Sequence, residues 1–553
     1  MLLESDAISE PSPEREPPGT PGQPRYSRRQ TVINAATSWA DMICQGLVGL
    51  VTVPLLLTAL TREGFGLLCV LNIIVVYAGY SDIGIRSGVG RDLTEYIVRK
   101  DGERFTRLMT TSCLILSIIA IVLSVVLFLF AEQLARLLGV PNTLVPVATN
   151  LIPVYCGVYL VTGLLTPVFA SVVMAFNRFD LVNVTRTFSV IIPPLTTLPW
   201  ISESDVSIYW WCGAACIGQL SCLSMTAAIA FYLSRHLLRF PQLLATQDFW
   251  RTMKFGLRVF GIQLSSMLGS QSDLLVISGL KGSSLLAVYN PAARVAALTR
   301  PFVAVLANTL CPTATAFHSS QDRERLRLML VNGTRYQMLL GVLVFTILVT
   351  SAHSFCVLWI GPSLGDDCNI VAKLLIVMAC VDLFEYAAGT QWPVLMGMRQ
   401  VDFLLATQVP FTALNIALTV IFVGFTPLGI YGAVLATGIA SGIRRPLVCI
   451  HVARTCGMSG REYFVLSYAI PLSVGVFLVG VGLAAQFLIP QISWPRLMLH
   501  ICILAGAWTA CILAVGLSSD ERRFAIASAA SLVGCWGETI EMLLAKLRRT
   551  LKA

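Results

Sequence analysis

Charge is what this sequence has least of. Asp, Glu, Lys and Arg make up 12% of the 553 residues, against about 25% in a soluble globular chain. That deficit excludes a water-soluble fold for most of the chain. Catalytic signatures are missing too. There is no G-x-x-x-x-G-K-[ST] phosphate loop, which argues against ATP hydrolysis, and no H-E-x-x-H or Cys/His metal-ligand spacing. The 16 cysteines lie nearly all inside apolar runs, with no C-x-x-C. They read as small buried hydrophobes, not a disulfide framework. The five histidines are scattered. His353 and His500 fall inside apolar runs, where a satisfied interior histidine is the ordinary reading. No long polar loop interrupts the apolar runs, so there is no room for an outer catalytic domain.

What is present is apolar length. Hydrophobic residues make 56% of the chain, and mean hydropathy is +0.76. Spans of about 20 to 24 residues leave room for about fourteen. The runs are 34–59, 65–88, 108–131, 146–170, 180–200, 208–232, 256–279, 284–316, 335–360, 369–393, 403–426, 428–452, 466–489 and 496–517. Residues 1–29, rich in Pro, Glu, Ser and Gly, read as a disordered cytoplasmic tail. Ser27-Arg28-Arg29 has the look of a twin-arginine signal, but the run behind it is too long and holds Asp41. Residues 518–553 read as a cytoplasmic or interfacial tail. The net charge of +9 follows loop position. With a cytoplasmic N-terminus, even-numbered connections hold most loop Arg and Lys, and odd ones hold little beyond Arg62, Arg136, Lys281 and Arg496. That bias predicts both termini in the cytoplasm, and gives no reason to expect a nucleic-acid partner.

The chain is organised around residues 60–96, where a polar corner opens an apolar run that ends Asp82-Ile83-Gly84-Ile85-Arg86. The spacing predicts Asp82 and Arg86 on one face of a helix end. Further along, the chain repeats itself. Asp101-Gly102-Glu103-Arg104 recurs as Asp322-Arg323-Glu324-Arg325, and the same interval separates Pro141 from Pro362 and Arg178 from Arg399. One offset shared by three loops indicates duplication. The repeating unit holds six spans, so both copies enter the membrane from the same side. The expected organisation is an N-lobe over 30–240, a C-lobe over 241–460, two further helices over 461–517, and terminal tails. The fold class is an all-α integral membrane protein of about fourteen transmembrane helices. Its two six-helix lobes are related by a pseudo-two-fold axis along the membrane normal, with two C-terminal helices added.

Charges inside spans are expensive and mark functional positions or internal ion pairs. They are Asp41 in span 1, Asp82 and Arg86 at the end of span 2, Arg186 in span 5, Asp273 in span 7, Arg294 and Arg300 in span 8, and Asp382 and Glu385 in span 10. Asp41 has no charged neighbour within two helical turns and is a candidate proton or cation site. For Arg294, pairing with Asp273 and contact with an anionic ligand both stand. Asp382 and Glu385 read as a lip facing water, and Asp366-Asp367 as a solvated turn. Pro291 and Pro301 interrupt span 8 and can turn carbonyls toward a cavity.

Several stretches carry a family resemblance. They are E-G-F-G-L-L with S-D-I-G-I-R (63–86), N-R-F-D-L-V-N (177–183), S-D-L-L-V-I-S-G-L with A-V-Y-N-P-A-A-R (272–294), and G-I-Y-G-A-V-L-A-T-G-I-A (429–440). The chain resembles the Wzx-type flippases, the polysaccharide-export branch of the multidrug/oligosaccharidyl-lipid/polysaccharide exporter superfamily. The resemblance implies two six-helix lobes around a V-shaped cavity and alternating access. It implies export of a polyprenyl-diphosphate-linked oligosaccharide across the bacterial inner membrane, with no cofactor. Spans 1, 2, 7 and 8 line the cavity in this superfamily. The substrate-binding candidates are therefore Arg86, Arg294 and Arg300, with Arg186, and the ion-coupling candidates are Asp41, Asp82 and Asp273. Expected partners are the lipid-linked glycan, membrane lipids, and polymerase and chain-length proteins of the same pathway. The competing readings are an ion-coupled drug or metabolite exporter of the same fold and a membrane polymerase or ligase.

Overall fold

A computed structural model describes residues 28–82, 85–197, 205–240, 246–303, 307–398, 400–490 and 493–516. The described chain is helical. The first half holds α1 (Arg28–Gly79), α2 (Ile85–Arg99), α3 (Gly102–Leu129), α4 (Ala131–Leu137), α5 (Val145–Leu151), α6 (Gly157–Ala175), α7 (Phe179–Thr197) and α8 (Asp205–Ser234). The second half holds α9 (Thr246–Lys281), α10 (Leu286–Val303), α11 (Ala307–Ser319), α12 (Arg323–Leu364), α13 (Cys368–Tyr386), α14 (Ala388–Gly397), α15 (Val401–Phe425) and α16 (Ile430–Thr455). Two more helices, α17 (Gly460–Leu488) and α18 (Trp494–Cys511), close the described chain. The expected tails fall outside the described residues, except that α1 already begins at Arg28.

Among the described residues, nine stretches are long and apolar enough to cross a membrane. Two of them, Ala36–Gly79 and Arg323–Gly397, each contain two of the runs read from sequence. The predicted spans 180–200, 256–279 and 284–316 fall on α7, α9 and α10–α11 and are less apolar than those nine. These same helices carry Arg186, Asp273, Arg294 and Arg300.

The repeated D-x-E-R is a helix start. Asp101 accepts a bond from the Arg104 amide at 3.1 Å, and Asp322 from the Arg325 amide at 3.0 Å. Each caps its helix by satisfying an amide that the first turn leaves unpaired. Ser459 caps α17 in the same way through the Glu462 amide at 3.1 Å.

Helix breaks differ from expectation. The corner between spans 1 and 2 is one residue, Thr61, whose φ of 61° interrupts an otherwise continuous α1. Span 2 is not continuous to residue 88. Its helix ends at Gly79, Tyr80 to Asp82 form a turn, and α2 starts at Ile85. Ser81 closes back on Ala78 at 3.1 Å, and Ile85 on the Asp82 carbonyl at 2.9 Å. Ser and Asp compete for helix hydrogen bonds and favour such turns. Asp82 and Arg86 therefore do not share a helix face. In span 8, Pro291 and Pro301 both lie inside α10, so neither breaks it.

The first and fifth spans of each half pack in parallel, which holds sequence separation constant along the contact. Between α1 and α7, Thr187 bonds Asp41 and Asn183 bonds Thr37, each pair 146 residues apart. Between α9 and α15, Thr419 bonds Asp273 and Asn415 bonds Gly269, again 146 apart. The last two helices lie on α12: Trp508 donates to the Leu339 carbonyl at 2.7 Å, and buried His500 meets Thr350 at 3.1 Å. His353, expected to be a satisfied interior histidine, is exposed on the helix surface instead.

The halves are latched at the face carrying the odd-numbered connections. Arg62 pairs with Asp367 at 2.5 Å, and Thr58 with Ser363 at 2.7 Å. Trp359 donates to the Leu50 carbonyl at 2.7 Å. Asp367, in a partly exposed connection, is also an ion-pair partner. A second latch joins the Ser283 amide to the Gly139 carbonyl at 2.9 Å. Glycine is required there. Gly139 has φ +68°, and a Cβ on it would lie 2.3 Å from the Ser278 carbonyl oxygen.

Candidate functional site

The charged helices enclose a cavity of about 490 Å³, lined by the second part of α1 and by α9, α10, α13, α15 and α16. Among the described residues the first half contributes Cys69, Asn72, Ile73 and Val76, and the rest of the lining comes from the second half. Among the described residues, three predicted site residues face it: Asp273, Arg294 and Arg300.

Asp273 does not pair with Arg294. Its carboxylate accepts from three hydroxyls: Tyr289 at 3.1 Å, Thr419 at 3.2 Å and Thr437 at 3.3 Å. Asn415 lies in the same cluster, its Oδ1 accepting from Thr419 and Thr437 at 3.3 Å each. A buried carboxylate needs such partners to offset desolvation. Arg294 instead donates its Nε to Asn290 Oδ1, one turn earlier, at 3.0 Å. It lies against the first half, where a Cβ on Gly49 would sit 3.9 Å from its Nη1. Arg300 grips Asp382 Oδ1 with Nε at 3.0 Å and Nη2 at 2.7 Å.

Asp382 and Glu385 are not a water-facing lip. Asp382 is 1% exposed, and Glu385 is held by Arg445, with Arg444 beside it. Reading the sequence missed both arginines. The available signal was Arg444-Arg445-Pro446 inside an apolar run, since adjacent charges in a span need partners as much as isolated ones do.

Asp41 lies elsewhere, in the first half. It accepts from Gln45 Nε2 at 2.9 Å and Thr187 Oγ1 at 2.7 Å. Arg186 stands 3.9 Å away, so a carboxylate with no charged neighbour within two turns of its own helix gains one from α7. Arg186 and Asp41 form a cluster separate from the cavity. Asp82 is buried in the turn after α1. Arg86 falls on α2, and its side chain lies outside the described residues.

A second recurrence appears only with the contacts in hand. Asp41, Asn183 and Thr187 are each followed, at one constant interval, by the same residue: Asp273, Asn415 and Thr419. That interval is longer than the one between the repeated loops, so the second-half cluster lies further along its helices. The shift is about three helical turns, or about 16 Å.

Beside the charged cavity runs a crevice of about 460 Å³, lined by apolar residues of α1, α10, α12, α13 and α18. α10 divides the two. Asn290, Arg294 and Arg300 face the cavity, while Val295, Leu298 and Phe302 face the crevice.

The class of protein is thus a helical membrane protein whose two halves are latched together beside a charged cavity. The structure of the lipid II flippase MurJ in its inward closed conformation has the same fold. Its TM-score is 0.66 at 15% identity, covering 87% of this chain and 98% of that one. The chain belongs to the polysaccharide biosynthesis protein family, whose model matches residues 35–318, just over half its length. It is similar to the uncharacterized membrane protein EpsK of Bacillus subtilis, at 22% identity over 483 residues, 86% of this chain and 93% of that protein. It is also similar to the succinoglycan biosynthesis transport protein ExoT of Rhizobium meliloti, at 27% identity over 311 residues, 54% of this chain and 58% of that protein.

Proposed function

We propose that this protein translocates a lipid-linked anionic glycan, an oligosaccharide on a polyprenyl diphosphate, across the bacterial inner membrane for surface or exopolysaccharide assembly. The observation that carries the reading is the two-faced α10, with guanidinium groups toward one cavity and an apolar wall toward the neighbouring crevice. An amphiphile with a charged head and a hydrocarbon tail has a place for each part there. Arginine suits phosphate oxygens because its planar fork donates two bonds at once. The opposite-face latch between Arg62 and Asp367 would open when the substrate is released. Asp273 and Asp41 are the candidate ion sites that drive the cycle, with Asp82 as a third. The loop charges support cytoplasmic termini, and pathway polymerase and chain-length proteins are the expected partners.

A drug or metabolite exporter of the same fold would take cations on carboxylates. Here Asp382 is bound by Arg300 and Glu385 by Arg445, which favours the anionic substrate. Deleting the gene tests the reading. A polyprenyl-diphosphate glycan should accumulate on the cytoplasmic side and surface glycan should fall. Unchanged glycan with altered drug susceptibility would reject it.

A further inference from the structure

We infer that Arg444 is a substrate-binding residue, the second anion-holding guanidinium of the cavity beside Arg294, and that Arg445 keeps it available by holding Glu385. The inference rests on the lipid-diphosphate reading and adds the division of labour among the arginines. Arg444 and Arg445 are adjacent on α16, so they point about 100° apart. Only one of them lines the cavity, and it is Arg444.

The two arginines treat Glu385 differently. Arg445 takes both carboxylate oxygens, Nε reaching Oε1 at 3.0 Å and Nη2 reaching Oε2. That parallel fork is the strong form of the pair. Arg444 Nη2 is 3.5 Å from each oxygen, a much weaker approach to a carboxylate already engaged. Its closer partner is neutral, since Nη1 donates to Gln408 Oε1.

The arginines in and beside the cavity therefore sort into two kinds. Arg300 and Arg445 are each committed to a carboxylate, Asp382 and Glu385 respectively. Arg294 and Arg444 are each oriented by a neutral amide, Asn290 and Gln408. An amide acceptor fixes the direction of a guanidinium without cancelling its charge, and that leaves the charge for a ligand.

Both helices start at the latched face. Arg294 lies eight residues into α10 and Arg444 fourteen into α16. At 1.5 Å per residue their depths differ by about 9 Å. An anion with more than one charged group can engage the second arginine before leaving the first, which suits a diphosphate moving along the cavity.

The test uses the full-length protein in detergent, farnesyl diphosphate as the probe and farnesol as the uncharged control. Arg444→Gln is expected to weaken farnesyl diphosphate binding at least tenfold with an unchanged melting temperature, because Glu385 keeps Arg445. Arg444→Lys should recover part of the loss. Glu385→Gln should bind as tightly as wild type or a few-fold tighter, having lost a competing anion. If Arg444→Gln binds as well as wild type while Arg294→Gln does not, the role given to Arg444 is wrong and the export reading stands. Wild-type binding no stronger for farnesyl diphosphate than for farnesol would overturn both. Should Arg444→Gln fail to fold, the double variant Glu385→Gln/Arg444→Gln removes both charges, and wild-type affinity in it would likewise refute the assignment.

Discussion

The two halves carry one hydrogen-bond scaffold at two depths. In each, an Asp on the first helix accepts from a Thr on the fifth, 146 residues later, with an Asn one turn before that Thr. In the first half the Asp has an arginine 3.9 Å away and is not among the residues lining the charged cavity. In the second half it is held by hydroxyls alone and lines the charged cavity. Parallel packing of helices one and five allows the same set of partners at any depth, because sliding both helices by whole turns restores the contact. The difference lies in depth and surroundings: the same frame of Asp, Asn and Thr recurs further along its helices in the second half. Among the described residues, the arginines that line this cavity, Arg294, Arg300 and Arg444, all belong to the second half.

The largest effect should come from the group that bridges the halves. Arg294→Ala is expected to stop glycan export with the protein still abundant in the membrane. Losing a charged partner of a bound ligand typically costs about 2 to 5 kcal/mol. Arg186→Ala, in the first half, should leave most export intact. Surface glycan measured against membrane abundance would show it, and equal losses in the two variants would break the comparison. Next come the two carboxylates. Asp273→Asn should lower gradient-driven export more than Asp41→Asn, because Arg186 offsets the charge of Asp41. Uncoupler sensitivity of transport in inverted vesicles is the readout, and the reverse order would place the coupling site in the first half. Smaller still is Arg300→Ala, which strands buried Asp382. Removing one partner of a fully buried pair costs about 3 to 5 kcal/mol. With Arg300 half exposed, a loss on the order of 2 kcal/mol is expected, seen as a lower melting temperature that Asp382→Asn recovers. The smallest effect belongs to the helix caps. Asp101→Cys and Asp322→Cys should each cost about 1 kcal/mol and both react with a membrane-impermeant thiol reagent from the cytoplasmic side only. Labelling from opposite sides would end the parallel-repeat description.

Composition and periodicity decided what a single stretch of chain can decide. The charge deficit and apolar runs required a helical membrane protein, because an unpaired backbone in lipid leaves few alternatives. The D-x-E-R pairs were legible because a cap acts within one turn of its own helix. Asp273, Arg294 and Arg300 stood out because any charge in an apolar run is conspicuous. Partnership was not legible. Asp41 acquired Arg186 from α7, Arg300 acquired Asp382 from α13, and Glu385 was taken by Arg445 of α16, with Arg444 farther off. Nor could the sequence say that Asp82 sits in a turn while Arg86 falls on the next helix, since Tyr80 to Asp82 close that turn through backbone bonds that many sequences could make. The strength of an ion pair depends on distance and desolvation, and both are fixed only when helices distant in sequence pack side by side. The sequence determined which residues carry charge into the membrane; the tertiary structure decided which of those charges are spent on each other and which face the cavity.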